Sequence, residues 1–368
     1  MTNTYHLLTY WIGTLVFINS SIIPVQGQND VESVRRQIDR IIHYDTEIPL
    51  HDHHGFIIGI VDGQSTYVLD YPGSDGLPIS VHDRFELGGL SQVFTGQYLV
   101  ELSRQGILNL DDPIYPQAGH LPESWRKLTW RQCLQHVSGL PRVIPGISGE
   151  QSIENPYGSI HIEDLKTILP QVAFDTLHFR YSVHNYALIQ DGLQRRFEQP
   201  VSRQLDSAFN QWNLKETTIL TPSKPTAISV GYRKNGLVAS PWITDSYQAG
   251  LGVVSSLSDL IEYSKWLILH AEDATYSELF YPSQPTDLRG RIAMAGSWYV
   301  FMPDGRQWIY SHAGQTGGHR SYIGFVPATR TAVIILAKSP DETNDLGLLI
   351  LRMINDNWKR NRTDEEKY

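Results

Sequence analysis

Strand-forming patterns sit at the two ends of this chain, and helix-forming patterns fill the interval between them. Near the start, "GFIIGIVDG" and "STYVLDYPG" are apolar runs split by Asp62-Gly63, a hairpin signal. In the last third, "GSWYVFMPDGRQWIYSHAG" turns at Pro303-Asp304-Gly305, and "HRSYIGFVPATRTAVIILAKS" makes a second hairpin. Outside these strands, "VESVRRQIDRIIHY" (31–44) carries a helical stripe of Val31, Val34, Ile38, Ile41 and Ile42, and "TNDLGLLILRMINDNW" closes the chain as a helix. Between them, helices are predicted at 129–136 with Thr129 as cap, at 162–169, 181–199 and 200–215, and at 255–270 with Ser258 as cap. Residues 220–250 read as loop, and His136 falls in the last turn of its helix, where a cation suits the dipole. The fold class predicted is α+β: one antiparallel sheet made by both chain ends, flanked by the terminal helices, with an inserted, mostly helical region. A single domain then covers 31–358, its sheet part about 31–85 and 290–358 and its helical part about 86–289. The seam between the parts is the expected pocket, and the charged tail 359–368 is expected to fray.

Several classes are excluded. Basic residues are scattered and the net charge is −9, so no nucleic-acid partner is expected. Cys133 is the only cysteine, which rules out an internal disulfide and a thiolate metal site; it reads as a buried structural thiol. "HDHHG" reads as a loop rather than a metal site, because consecutive residues on a strand alternate faces. Asp111-Asp112 reads as a turn pair rather than a carboxylate dyad. Neither a metal nor another cofactor is expected. Residues 1–29 hold no charged side chain, and an apolar run at 7–18 precedes Val25 and Gly27. That pattern predicts a signal peptide over 1–27 and an exported, periplasmic or extracellular protein. The alternative is an uncleaved anchor, the one route to a membrane association, although a run of about 12 residues is short of the about 20 that a span needs.

The stretch "FELGGLSQVFTGQYL" (85–99) reads as a strand end, a small-residue turn and a helix with Leu90, Phe94, Tyr98 and Leu102 on one face. Turns of this kind can present a nucleophile at a helix N-terminus, beside free N–H groups. Five more stretches follow in order: "LNLDDPI", "LTWRQCLQHVSGLPR", "YSVHNYALI", "YQAGLGVVSSLSDLIEYSKWL" and "SHAGQTGGHRSYIGFVP". Together the six resemble the motifs of the serine β-lactamase and penicillin-binding-protein-like family, in its class C and esterase-like branch, along roughly 31–358.

That resemblance implies acyl transfer by a serine, a lysine one helical turn later, a tyrosine with an asparagine beside it, and an oxyanion hole of two backbone N–H groups. Carried over, the serine position is Gly89, the lysine position Gln92 and the asparagine position Val183. Tyr181, His312 and Gly314 are retained. The resemblance therefore implies a serine-hydrolase homologue without catalytic residues, a pseudoenzyme. Gly89, Gln92, Tyr181, His312, Gly314 and Gln315 would bind a small acyl or peptide-like ligand or a protein partner. Two alternatives stand beside it. One is an active hydrolase using Ser91 or a water activated by His312, although Ser91 lies about 200° around the helix from the Gly89 face. The other is a scaffold whose pocket is closed and whose Tyr181 and His312 are held only by packing.

Overall fold

The computed structural model describes residues 28–46, 48, 54–74, 76–115, 123–142, 154–168, 178–224, 226–286, 290–303, 307–339 and 344–365. Its strands are β1 (Gly55–Asp62), β2 (Ser65–Pro72), β3 (Arg84–Glu86), β4 (Thr218–Ile219), β5 (Val253–Ser256), β6 (Gln284–Pro285), β7 (Ile292–Ala295), β8 (Trp298–Phe301), β9 (Ile309–Gln315), β10 (Arg320–Val326) and β11 (Thr331–Ala337). Its helices are α1 (Gln28–Asp45), α2 (Ser91–Arg104), α3 (Glu123–Arg126), α4 (Trp130–Leu134), α5 (Ile162–Ile168), α6 (His184–Phe197), α7 (Val201–Gln211), α8 (Gln248–Leu251), α9 (Leu257–His270), α10 (Ser277–Phe280) and α11 (Asn344–Glu365).

The two chain ends build one antiparallel sheet in the order β2-β1-β11-β10-β9-β8-β7-β6. Its N- and C-terminal portions meet where β1 pairs with β11, Phe56 opposite Ala337 and Asp62 opposite Thr331. Both faces of β1 are buried, so its apolar run is continuous rather than alternating. The side-chain period of two divides that run. Phe56, Ile58 and Ile60 join Ile38 and Ile42 of α1 and Ile350 and Leu351 of α11 in one core. Ile57 and Val61 join Ile323, Phe325, Ile334, Leu336 and the helices of the inserted region in the other. The predicted α+β architecture is therefore the observed one.

Local differences have local causes. The expected strand end at 85 is β3, which leaves the main sheet and forms a three-stranded sheet in the order β3-β5-β4. The large sheet also begins earlier than residue 290, at β6. The cap of α9 is Ser256, not Ser258: Ser256 is still extended at the end of β5, and its side chain accepts the Asp259 N–H at 3.2 Å. Thr129 caps α4 with a reciprocal capping box through Gln132, as the sequence predicts. His136 is not in a last helical turn; it follows α4 with φ 58, in the left-handed region. Helix α11 runs on into the charged tail as far as Glu365. The leader 1–27, residues 51–53 of "HDHHG" and Asp304-Gly305 of the predicted turn lie outside the described residues.

The sheet and the helical part meet where the turn before α2 crosses β9. A Cβ on Gly314 would lie 1.8 Å from the Leu87 carbonyl oxygen and 2.6 Å from the Leu90 nitrogen, both backbone atoms. Gly314→Ala therefore forces the two parts to separate. It should cost ~3 kcal/mol or more, at the upper end of overpacking effects. Urea unfolding should show the midpoint falling with an unchanged m value, and an unmoved midpoint would refute the contact.

Candidate active-site cleft

Both sheets hold the turn that leads into α2. The Leu87 N–H donates to the Val253 carbonyl of β5 at 2.9 Å, and the Leu87 carbonyl accepts the Ser321 hydroxyl of β10 at 2.7 Å. Gly88 takes φ +51, and a Cβ there would strike the Gln315 carbonyl oxygen at 2.4 Å, so neither its backbone nor its surroundings admit a side chain. Gly89 differs. Its Cβ direction points into a cleft, 3.3 Å from the Tyr181 hydroxyl and 3.3 Å from the Ala313 carbonyl oxygen. A side chain at this position would touch the Tyr181 oxygen; the chain supplies none.

Behind Tyr181 lies a row of hydrogen bonds. The Gln92 side-chain nitrogen donates to the Tyr181 hydroxyl oxygen at 2.9 Å. The Gln92 carbonyl oxygen is 3.2 Å from Nε2 of His136. Nδ1 of His136 accepts the Ser182 backbone N–H at 3.2 Å and the Asn185 side-chain nitrogen at 3.1 Å. Burial, with His312 nearby, pushes His136 down to about 3, so it is neutral over the physiological range. Burial pushes Tyr181 up to about 12, against a smaller opposing effect of the Gln92 bond. No lysine lies in this row to depress the phenol.

The front of the cleft is the edge of β9. Pairing with β8 ends at Ser311, opposite Tyr299. On the other side, the Thr316 N–H donates to the His319 carbonyl at 2.9 Å, so by the antiparallel alternation the Gln315 N–H turns toward the cleft. His312 donates Nδ1–H to the Ala313 carbonyl at 3.0 Å, and its Nε2 is buried with no hydrogen-bond partner among the described residues. Burial pushes His312 down to about 4. The cleft holds about 580 Å³, with Tyr157, Trp242, Tyr299 and Phe301 on its walls and the exposed Arg142 also lining it. Beneath Trp242, the buried Glu86 accepts the Trp242 N–H at 2.6 Å, Nδ1–H of His319 at 2.9 Å and the Thr316 hydroxyl at 3.2 Å. One carboxylate thus ties the cleft wall to the β9–β10 turn.

Of the residues singled out in the sequence, Gly89, Tyr181, Val183, His312, Gly314 and Gln315 all line the cleft. Gln92 does not; it is fully buried behind Tyr181, and its amide is engaged by Tyr181 and His136. Ser91 is also fully buried and accepts the Val253 N–H at 3.0 Å, on the side away from Tyr181. His312, the candidate activator of a water, is too strongly desolvated to be an effective base at neutral pH. Sequence reasoning missed His136. The only signal available was "HVSGLP" with Gly139 and Pro141 just beyond it, which marks a chain reversal able to turn the ring inward. Among the described residues no group of three or more potential metal ligands converges, and no helix is long and apolar enough to cross a membrane.

Known proteins resemble this chain in sequence and fold. The Beta-lactamase family profile matches residues 45–353. The Protein flp of Staphylococcus aureus strain N315 is 23% identical over 336 residues, which cover 84% of this chain but only 64% of that protein. The D-alanyl-D-alanine-carboxypeptidase/endopeptidase AmpH of Escherichia coli K12 is 23% identical over 318 residues, covering 78% of this chain and 80% of AmpH. A class C beta-lactamase structure from Rhodobacter sphaeroides superposes with a TM-score of 0.71 at 18% identity, over 89% of this chain and 99% of that one.

The buried histidines set a pH dependence. His136 at about 3, with His184 and His312 at about 4, lie below the 6.5 of an exposed histidine. The unfolded chain therefore binds protons that the folded chain refuses, and stability falls as pH drops from about 6.5 toward about 4. Each group adds a slope of roughly 1 kcal/mol per pH unit inside that window. Unfolding midpoints measured from pH 7.5 to 4.5 should fall accordingly, and His312→Gln should flatten the fall. Identical slopes in the two proteins would contradict the burial of His312.

Proposed function

The chain belongs to the beta-lactamase family, and from that premise we propose that it is an exported homologue that binds a peptide-like or acyl ligand without cleaving it. The observation that carries this reading is the position of Gly89. Its Cβ direction ends 3.3 Å from the Tyr181 hydroxyl, where the family's chemistry needs a nucleophile and this chain has a hydrogen atom. The change at Gln92 acts in the same sense: an amide in contact with Tyr181 has no basicity with which to deprotonate a hydroxyl. The cleft, the retained Tyr181 and His312, and the Gln315 N–H at the free edge of β9 favour ligand binding over a closed scaffold. A peptide ligand is consistent with the name of AmpH, which describes a peptidase acting on D-alanyl-D-alanine. Export rests on the uncharged, apolar leader of residues 1–27.

An active hydrolase receives no comparable support. The Ser91 hydroxyl is committed to the Val253 N–H, and burial leaves His312 a weak base. The purified protein should not be labelled by a fluorophosphonate or by a fluorescent penicillin. Gly89→Ser with Gln92→Lys should gain fluorophosphonate labelling, provided Tyr181 and the β9 edge yield a few tenths of an ångström to the new side chain. Labelling of the unmodified protein that disappears in Ser91→Ala would sink the proposal.

A further inference from the structure

We propose that Gln92 and His136 fix Tyr181 as a hydrogen-bond donor aimed into the cleft, so that the site selects a ligand carbonyl oxygen placed beside Gly89. This inference rests on the binding reading above and adds the chemistry that the cleft recognises.

The direction of each hydrogen bond in the row follows from one group whose polarity is fixed. The Ser182 backbone N–H can only donate, and its acceptor is Nδ1 of His136 at 3.2 Å. Nδ1 is therefore unprotonated. A neutral imidazole then carries its proton on Nε2, 3.2 Å from the Gln92 side-chain oxygen. Nε2–H donates, so the Gln92 carbonyl faces His136 and its NH2 faces Tyr181 at 2.9 Å. Asn185 agrees with this sense: its NH2 donates to the same Nδ1 while its carbonyl accepts the Ser138 hydroxyl. The Tyr181 oxygen thus accepts from within the protein. Among the described residues no protein group accepts its proton in return, and the hydroxyl lines the cleft. That proton is available to a ligand acceptor, 3.3 Å from the space that a Gly89 side chain would have filled. With an alanine or serine at residue 89 the same space would be filled; with glycine it is open to a ligand oxygen.

In this arrangement Gln92 and His136 are positioning residues that act through Tyr181. Gln92→Glu tests them with almost no change of shape. Once ionised, at a pH above the raised pKa that burial gives it, the new carboxyl only accepts, so it would take both Nε2–H of His136 and the Tyr181 O–H, and the phenol proton would turn away from the cleft; the ratio is therefore read at rising pH, up to and past that ionisation. Two probes read the result: acetophenone, and its hydrocarbon isostere 2-phenylpropene, in which C=CH2 replaces C=O. Their affinities, measured by ligand-observed NMR, give a ketone-to-hydrocarbon ratio for each variant. One neutral hydrogen bond should make that ratio several-fold, up to about tenfold, higher in the unmodified protein than in Gln92→Glu or Tyr181→Phe. A ratio that stays the same in both folded variants would overturn the proposal.

A second measurement needs no ligand. In the unmodified protein, 15N NMR of labelled histidine, with His136 assigned by comparison with His136→Asn, should show His136 as the neutral Nε2–H tautomer at pH 7. An Nδ1–H tautomer would break the row at its first link and overturn the inference. If neither probe binds any variant, the binding reading of the preceding subsection fails, while the tautomer still decides the direction of the row.

Discussion

The contact between the Leu87–Leu90 turn and Gly314 of β9 is the constraint on which the rest of this molecule depends. Backbone touches backbone there, with no room for a single Cβ on the strand side. Because of it, α2 starts where it does, and the Cβ direction of Gly89 meets Tyr181 from the opposite side of the seam. The Ser321 hydroxyl and the Val253 carbonyl secure the same turn from two different sheets. The turn is thus held by backbone groups and by side chains outside the cleft.

The two changes are physically linked. Residue 92 is fully buried, so an ammonium there would be desolvated and would need partners that favour the charge. Among the described residues, the side-chain hydrogen-bond partners of Gln92 are the Tyr181 hydroxyl and His136, itself neutral, and neither is a carboxylate. A lysine kept without a serine to activate would carry that desolvation for no chemical return. An amide of similar reach satisfies both neighbours as a neutral donor and acceptor. The groups behind and beside Gly89 are accordingly neutral: an amide, and a phenol and two imidazoles that burial holds in their neutral forms. Charge reaches the cleft lining through the exposed Arg142 and the buried Arg320.

Much of this was legible in the sequence, for reasons that can be stated. The hairpin at Asp62-Gly63 and the strand–turn–helix at 85–104 are short-range patterns, and short-range patterns survive in a linear reading. The angle between Ser91 and the Gly89 face follows from helix geometry alone, and the Ser91–Val253 bond agrees with it. The losses were at positions decided by distant partners. β3 looked like part of the large sheet because a three-residue strand does not say whom it pairs with; Val254 and Ser255 of β5, far along the chain, decide that. Ser256 and Ser258 are equally good caps on paper, and the length of β5 chooses between them. His136 looked like a helix-end cation because its positive φ and its burial against Gln92 and Asn185 are tertiary facts.

That last misreading bears on how the site works. A histidine at a helix end is expected to be protonated and to favour the dipole; this one is turned inward and stripped of water, which makes it neutral. Only in the neutral state does the ring have one donor and one acceptor nitrogen, and only then does it pass on a direction. Charged, it would donate from both nitrogens and collide with the Ser182 N–H. The burial that removes His136 as an acid or base is thus what makes it an orienting group. The same desolvation that weakens His312 and Tyr181 for proton transfer strengthens any hydrogen bond they make to a ligand that excludes water from the cleft. These are the properties that the proposed binding of a carbonyl oxygen calls for.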